Sequence, residues 1–251
     1  MTEGRFGGIA RLYSEDALAR LAASHVCVVG LGGVGSWVAE ALARSGVGAL
    51  TLVDADDVCE TNINRQLLAV TGSVGRPKAE VLAARVADIN PACRVTPVPE
   101  FFHLTNADQL LAPGFDFVVD AVDRVMAKVC LIGHCHAAGT PIVTCGGAGG
   151  RTDPFQIQCT DLAATDEDPL LAYVRKKLRR IYTFPAPGTP FGVPCVFSRE
   201  PIRWPEGCAP TDHQTLTCDT GIGAAAHVTG VFGLMMAGVV VNRLAGNPSA
   251  L

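Results

Sequence analysis

Hydrophobic positions in the first 145 residues fall into short apolar runs separated by segments of helical period. Residues 25–30 read as a buried strand, and 34–45 as a helix that opens on a glycine-rich turn. Ala49 to Val53 predicts a second strand ending at Asp54. Lys78 to Ile89 predicts a helix stopped by Asn90-Pro91. A strand over Arg94–Val98, a short helix over Asn106–Leu111 and a buried strand over Asp116–Val119 follow. That strand runs into Asp120-Ala-Val-Asp123. Arg124–Ala138 reads as a helix and Pro141–Cys145 as a strand. Strands alternating with helices predict an α/β fold with a doubly wound, mostly parallel sheet.

The texture changes at Gly146. After GGAGG comes a predicted strand, Phe155–Thr160. Asp168–Tyr182 suits an amphipathic helix, with Leu171, Val174, Leu178 and Ile181 on one face. Thr183–Thr220 holds seven prolines and no period, which reads as a functional loop or lid. Residues 222–243 read as an apolar helix. Its stretch Ile222–Val241 is long enough to cross a bilayer. Its Gly/Ala content and its His227 and Thr229 favour a helix buried in a core or subunit interface, so membrane contact is not expected. The organisation expected is one domain over 1–251: a nucleotide-binding core over 1–150, then an elaboration with the 183–220 loop and the apolar helix.

Composition narrows the class. The chain has 251 residues, 49% hydrophobic and 18% charged, with a net charge of −4. It is globular, and any nucleic-acid surface must be a local patch. The polar start MTEGRFGG lacks an apolar leader core, so a reducing cytoplasm is expected. The ten cysteines include no CxxC pair, which argues against structural zinc. Cys27, Cys130 and Cys145 lie in apolar runs and read as small buried hydrophobes.

The chemistry lies in spacing. Gly30, Gly32, Gly33 and Gly35, with Ser36, let a backbone approach phosphate oxygens at a helix start. Asp54, 24 residues after Gly30, suits a ribose diol in ATP or NAD. Asn62, Arg65, Gln66 and Lys78 discriminate between the two. An Arg fork and a Lys charge would stabilise the charge that adenylation places on the α-phosphate and pyrophosphate, whereas hydride transfer has no use for them. Asp56 and Asp57 read as a solvated turn. Asp120 and Asp123 end a strand near the sheet centre, where a carboxylate can hold Mg²⁺ or cap the next helix. Arg175, Lys176, Lys177, Arg179 and Arg180 put five positive charges on one helix beside Tyr173 and Tyr182. They read as a solvated face or an RNA backbone clamp.

The series GxGGxGS, acidic strand end, NxxRQ, Lys and DxxD resembles the E1-like, ThiF/MoeB-type adenylating enzymes over residues 25–145. By that resemblance Asp54 binds ribose, Arg65 and Lys78 contact phosphate, and Asp123 contacts Mg²⁺. An N-terminal arginine, Arg11 rather than Arg5, enters the partner's site of a homodimer. A closer resemblance runs almost end to end, through RFGGIARLY, VGSWVAEALARSG, DDVCETNINRQ, VGRPKAEV, VTCGGAGG, DPFQIQCTDLA and CVFS. It is to the tRNA threonylcarbamoyladenosine dehydratases. These use ATP to activate the threonyl carboxylate of N6-threonylcarbamoyladenosine at tRNA position 37, and the ureido nitrogen then closes a hydantoin ring. The resemblance implies ATP, Mg²⁺ and a tRNA substrate, and tips the basic helix toward RNA contact. Arg124 departs from it, standing where Ser or Asn is typical.

Three alternatives stand beside this reading. One is an activator of a ubiquitin-like sulfur-carrier protein, for which Cys145, Cys195, Cys208 and Cys218 are candidate thiols. One is an NAD(P) oxidoreductase. The third is a non-catalytic partner of a cysteine desulfurase/sulfur-acceptor system, with which relatives associate.

Overall fold

The structure, a computed structural model, describes residues 4–204 and 222–247. Its strands are β1 (His25–Val29), β2 (Ala49–Val53), β3 (Arg94–Val98), β4 (Phe117–Asp120), β5 (Ile142–Cys145), β6 (Ile157–Asp161) and β7 (Pro194–Ser198). They form one sheet in the order β3-β2-β1-β4-β5-β7-β6. All neighbours are parallel except β6 and β7. This is the doubly wound α/β architecture that the alternation predicts. Strands β1, β2, β4 and β5 are covered on both faces, which is why they read as unbroken apolar runs rather than alternating ones. Pro97 is tolerated in β3 because β3 lies at an edge.

The helices are α1 (Gly7–Tyr13), α2 (Glu15–Ala23), α3 (Gly35–Arg44), α4 (Lys78–Ile89), α5 (Ala107–Leu111), α6 (Val125–Ala138), α7 (Pro169–Ile181) and α8 (Ala226–Leu244). On one face of the sheet, Leu42 of α3, Val86 of α4 and Val240 of α8 share a core. On the other, Leu131 of α6 packs with Val174 and Leu178 of α7. Asp168 caps α7 by accepting from Leu171 N–H at 3.0 Å, with Pro169 in the first turn.

Two regions differ from expectation. The segment 183–220 is not wholly irregular, because it contains β7, which lies inside the sheet between β5 and β6. Phe184, Phe191 and Val193 are buried beside it. Prolines masked a strand only five residues long, Pro194–Ser198. The remainder, 205–220, with Cys208 and Cys218, lies outside the described residues. The strand expected from Phe155 starts at Ile157, after a 3-10 turn over Pro154–Gln156.

The apolar helix is explained by its contact with α3. A Cβ at Gly233 would stand 2.6 Å from the Val34 carbonyl oxygen, and Gly230 lies against the Trp37 ring. Small residues let the two backbones approach, and the glycine face of α8 is spent on α3. It is long and apolar enough to cross a membrane by length and composition, but half of it is buried against the protein.

Beneath the C-terminal ends of the strands lies a buried charge. Asp120, fully buried, accepts from Lys128 Nζ at 2.9 Å and from Thr144 Oγ1 at 2.6 Å; Lys128 also donates to Thr144 Oγ1 at 3.0 Å. Burial opposes charge on Lys128, but the charge and hydrogen bond of Asp120, with smaller help from neighbouring thiols, hold its pKa above the ordinary lysine value. Lys128→Met would leave the carboxylate uncompensated. A loss of about 3–5 kcal/mol is expected in urea unfolding, with much of it recovered in Asp120→Asn/Lys128→Met.

Candidate active site

A cleft of about 460 Å³ opens above the C-terminal ends of β1, β2, β4 and β5. It lies where the strand order reverses between β1 and β4, the usual ligand crevice of such sheets. Its floor is the glycine turn. Gly30 has φ +87°, and a Cβ there would meet the Ala121 carbonyl oxygen at 2.7 Å. A Cβ at Gly35 would stand 1.8 Å from the Gly30 carbonyl oxygen. Those two glycines are required by the fold. Gly32 is different: a Cβ there would meet nothing nearer than Gln66 Nε2 at 3.8 Å. Its bare backbone faces the cleft, as phosphate binding at the α3 N-terminus needs. Gly33 lines the same wall beside Thr229.

Asp54 stands at the end of β2, buried and facing the cleft. Its carboxylate accepts from Leu31 N–H at 2.6 Å and Asp56 N–H at 2.9 Å. Burial pushes its pKa above the ordinary aspartate value, against the opposing pull of Lys78 and these N–H donors. Lys78, the first residue of α4, sends a buried stem into the cleft, where Nζ meets Asp56 Oδ2 at 2.8 Å. Asp56 is exposed, as its expected place in a solvated turn implies, and it also lines the cleft and holds this ammonium.

Arg65 and Gln66 line the opposite wall. Arg65 Nη1 donates to the Thr61 carbonyl at 2.7 Å and to Asn64 Oδ1 at 2.9 Å. Its own carbonyl accepts from Trp37 Nε1 at 3.3 Å and Thr229 Oγ1 at 3.1 Å, so α3 and α8 both hold it. Gln66 Oε1 is buried and finds no hydrogen-bond partner among the described residues. A buried acceptor left in that state is costly, and a donor on a bound ligand would satisfy it.

Four expected ligand residues lie elsewhere. Ser36 is fully buried; its hydroxyl donates to the Gly32 carbonyl at 2.7 Å and accepts from Leu67 N–H at 3.2 Å, tying the glycine turn to the Arg65–Gln66 segment. Asn62 is buried and caps its own turn, accepting from Cys59 N–H at 3.0 Å. Gly35 serves the turn geometry. Asp120 is sequestered with Lys128, whereas Asp123 is exposed at the cleft rim, which Glu100 also lines. One carboxylate completed by phosphate oxygens is a donor set that suits Mg²⁺.

The basic helix is not one open face. Arg175 donates to Thr165 Oγ1, while Arg179 donates to the Pro185 carbonyl at 2.9 Å and stacks on Phe191. Lys176 and Arg180 are exposed and Lys177 is half-buried. Arg11 is exposed on α1, and Arg5 donates to the Ile89 carbonyl at 3.2 Å. Of the candidate thiols, Cys145 and Cys195 are fully buried; burial pushes Cys145 up to about 12 and raises Cys195 as well. Neither is suited to form a thioester.

Several cleft residues escaped the sequence. Gly146–Gly149 lines the far end, held by Asp168 Oδ2 accepting from Gly147 N–H at 2.9 Å. Its signal was the GGAGG run directly after a strand. Phe101 and Arg124 form a cation–π pair 4.9 Å apart at the mouth. An aromatic pair just past β3 was the available clue.

If Asp54 holds the ribose, as expected from its place at the end of β2, its ionised form is the one that accepts the hydroxyls. ATP affinity is expected to weaken on acidification, starting above the pH at which an ordinary aspartate titrates. Asp54→Asn should lose about tenfold or more at pH 8 and flatten the profile, read by calorimetry alongside the unfolding temperature.

The family model described as the ThiF family matches residues 8–251. The chain is 49% identical over 246 residues to a tRNA threonylcarbamoyladenosine dehydratase of Haemophilus influenzae, covering 96% of this chain and 94% of that one. It superposes with a TM-score of 0.88 on the Escherichia coli tRNA N6-threonylcarbamoyladenosine dehydratase in complex with ATP, at 46% identity, covering 98% of this chain and 95% of that one. A molybdopterin-synthase adenylyltransferase of Escherichia coli is 38% identical over only 54% of this chain and 54% of its own length. A glycine turn, a buried carboxylate and two cationic side chains in one cleft, with a family match from residue 8 to residue 251, lead to one conclusion: the chain belongs to the ThiF family.

Proposed function

We propose that this protein is an ATP-dependent dehydratase of N6-threonylcarbamoyladenosine in tRNA. Convergence of Gly32, Asp54, Arg65, Gln66 and Lys78 on one cleft carries the adenylating chemistry. Similarity along nearly the whole chain to dehydratases, against half the chain for a carrier-protein activator, supports the substrate.

A carboxylate is a poor electrophile because resonance and charge disfavour attack on it. Attack of the threonyl carboxylate on the α-phosphorus of ATP expels pyrophosphate and gives an acyl adenylate. The ureido nitrogen of the same nucleoside then attacks the acyl carbon, and AMP leaves with the hydantoin ring closed. Nucleophile and electrophile share one molecule, so the second step needs only orientation and exclusion of water.

Asp54 anchors the ribose, and the glycine turn with the α3 N-terminus receives phosphate. Lys78 and Arg65 stabilise the charge that builds on the α-phosphate and pyrophosphate. Gln66 Oε1 accepts from the nucleotide or the substrate. Phe101 and Arg124 flank the base. Asp123 would hold Mg²⁺, whose chemistry there is to neutralise phosphate charge. No thiol is required, which agrees with the buried state of Cys145 and Cys195. We further propose a cytoplasmic homodimer in which Arg11 enters the partner's cleft; its exposure on α1 and the half-exposed Leu234 on α8 support this.

Incubation of N6-threonylcarbamoyladenosine-containing tRNA with the protein and ATP–Mg²⁺ should remove one water from the modified nucleoside, read by mass spectrometry. Lys78→Ala should abolish the loss. Pyrophosphate exchange that appears only on adding a ubiquitin-like protein would move the assignment to carrier-protein activation. In a second experiment, Arg11→Ala and Lys78→Ala, each inactive alone, should regain partial activity when mixed and allowed to exchange subunits. No recovery would place Arg11 outside the partner's site.

A further inference from the structure

A second hollow, of about 440 Å³, adjoins the cleft. Glu167, Asp168, Ala172, Arg175, Ile202 and Trp204 line it. Ile202 also lines the nucleotide cleft, so one side chain forms the wall between the two. The wall is built, not incidental. Arg203 N–H donates to the Gly150 carbonyl at 2.8 Å, and Gly150 N–H to the Gly223 carbonyl at 2.7 Å. Glu200 accepts from Thr152 and Asp153 N–H at 2.7 and 2.8 Å. On the other side, Glu167 holds a left-handed backbone, φ +49°, with its carbonyl receiving Arg151 Nη2 at 3.3 Å.

We infer that this hollow is a nucleobase subsite, which takes an unpaired base flanking the modified adenosine of the RNA substrate. The inference rests on the dehydratase reading above. An indole and a guanidinium in one recess offer the two surfaces on which single-stranded bases stack, and neither demands a particular base. Phosphate is the poorer occupant. Arg175 stands there with the carboxylates of Glu167 and Asp168, which repel an anion. The Asp168 oxygens are already engaged with Gly147 and Leu171 N–H. Glu167 is exposed and can accept from an exocyclic amino group. The position fits as well. Ile202 lines both spaces, so a strand whose modified nucleoside enters the cleft can set a neighbouring base in the hollow beside it.

The test couples a protein change to an RNA change. A stem-loop carrying N6-threonylcarbamoyladenosine is prepared intact, and with an abasic site on either side of the modified residue. Trp204→Ala is expected to raise KM for the intact stem-loop at least tenfold, with kcat and ATP affinity little changed. Trp204→Phe, which keeps a stacking face, should recover most of the loss. One of the abasic stem-loops should show a similar rise with the wild-type protein and little further rise with Trp204→Ala, because both remove the same contact. The protein has two tryptophans, Trp37 and Trp204. Intact RNA should therefore quench a fluorescence component that is absent in Trp204→Phe. Unchanged KM in Trp204→Ala, or losses that simply add, would overturn the subsite. If the wild-type protein dehydrates no substrate, the dehydratase reading fails instead, while quenching of Trp204 by RNA still reports on the hollow.

Discussion

The active cleft stands on a buried ion pair. Asp120 ends β4, Lys128 projects from α6 and Thr144 from β5, and the three close on one another with no exposed surface. A carboxylate at that depth is tolerable only with a fixed cation and saturated oxygens. Its second oxygen also receives Val122 N–H at 3.3 Å, so the same group directs the turn that carries Asp123 to the rim. The Cys145 thiol points to the Asp120 carbonyl at 3.7 Å, which leads directly into the Gly146–Gly149 loop. The Asp123 turn and the Gly146–Gly149 loop thus both lie next to Asp120, one held by its carboxylate and the other preceded by a residue at its carbonyl.

A division of labour follows among the polar residues of the site. Ser36, Asn62 and Asp120 spend their hydrogen bonds on the backbone and on each other's segments. Asp54, Gln66, Arg65 and Lys78 spend theirs partly on the protein and keep a face toward the cleft. Arg175 and Arg179 belong to the first kind in part, so α7 presents less free charge than its five cations suggest. An acidic chain can still engage RNA if recognition relies on stacking and on a few placed cations rather than on a broad positive field.

The sheet and the residues that line the cleft were legible because their signals are local. Apolar runs bounded by glycine, an aspartate at a strand end, and NxxRQ at a fixed distance need no tertiary information. The sequence did not separate polar residues that face the cleft from polar residues that build its frame. Ser36 and Asn62 carry the same hydroxyl and amide whether they meet phosphate or a main-chain N–H; only the fold decides. β7 was hidden because Pro187, Pro190 and Pro194 break any period, although its burial comes from neighbours more than thirty residues away in sequence. The helices α1 and α2 were silent because they bury only a few small or isolated residues, Ala10, Ala17 and Leu21 among them. α8 was ambiguous because a glycine face meant for α3 and an apolar face meant for lipid look alike in one dimension.

The grip of α8 on Arg65 bears on how the protein comes into being. Thr229, 164 residues downstream, holds the Arg65 carbonyl, and Ala224 accepts from Asn64 beside it. The ribosome delivers the glycine turn, Asp54 and Lys78 early. The anchor for Arg65 emerges only after all seven strands of the sheet. A nascent chain therefore has the sheet of an adenylating enzyme before it has a set arginine. The setting of Arg65 waits on the docking of α8, and a chain that stops before Thr229 lacks it.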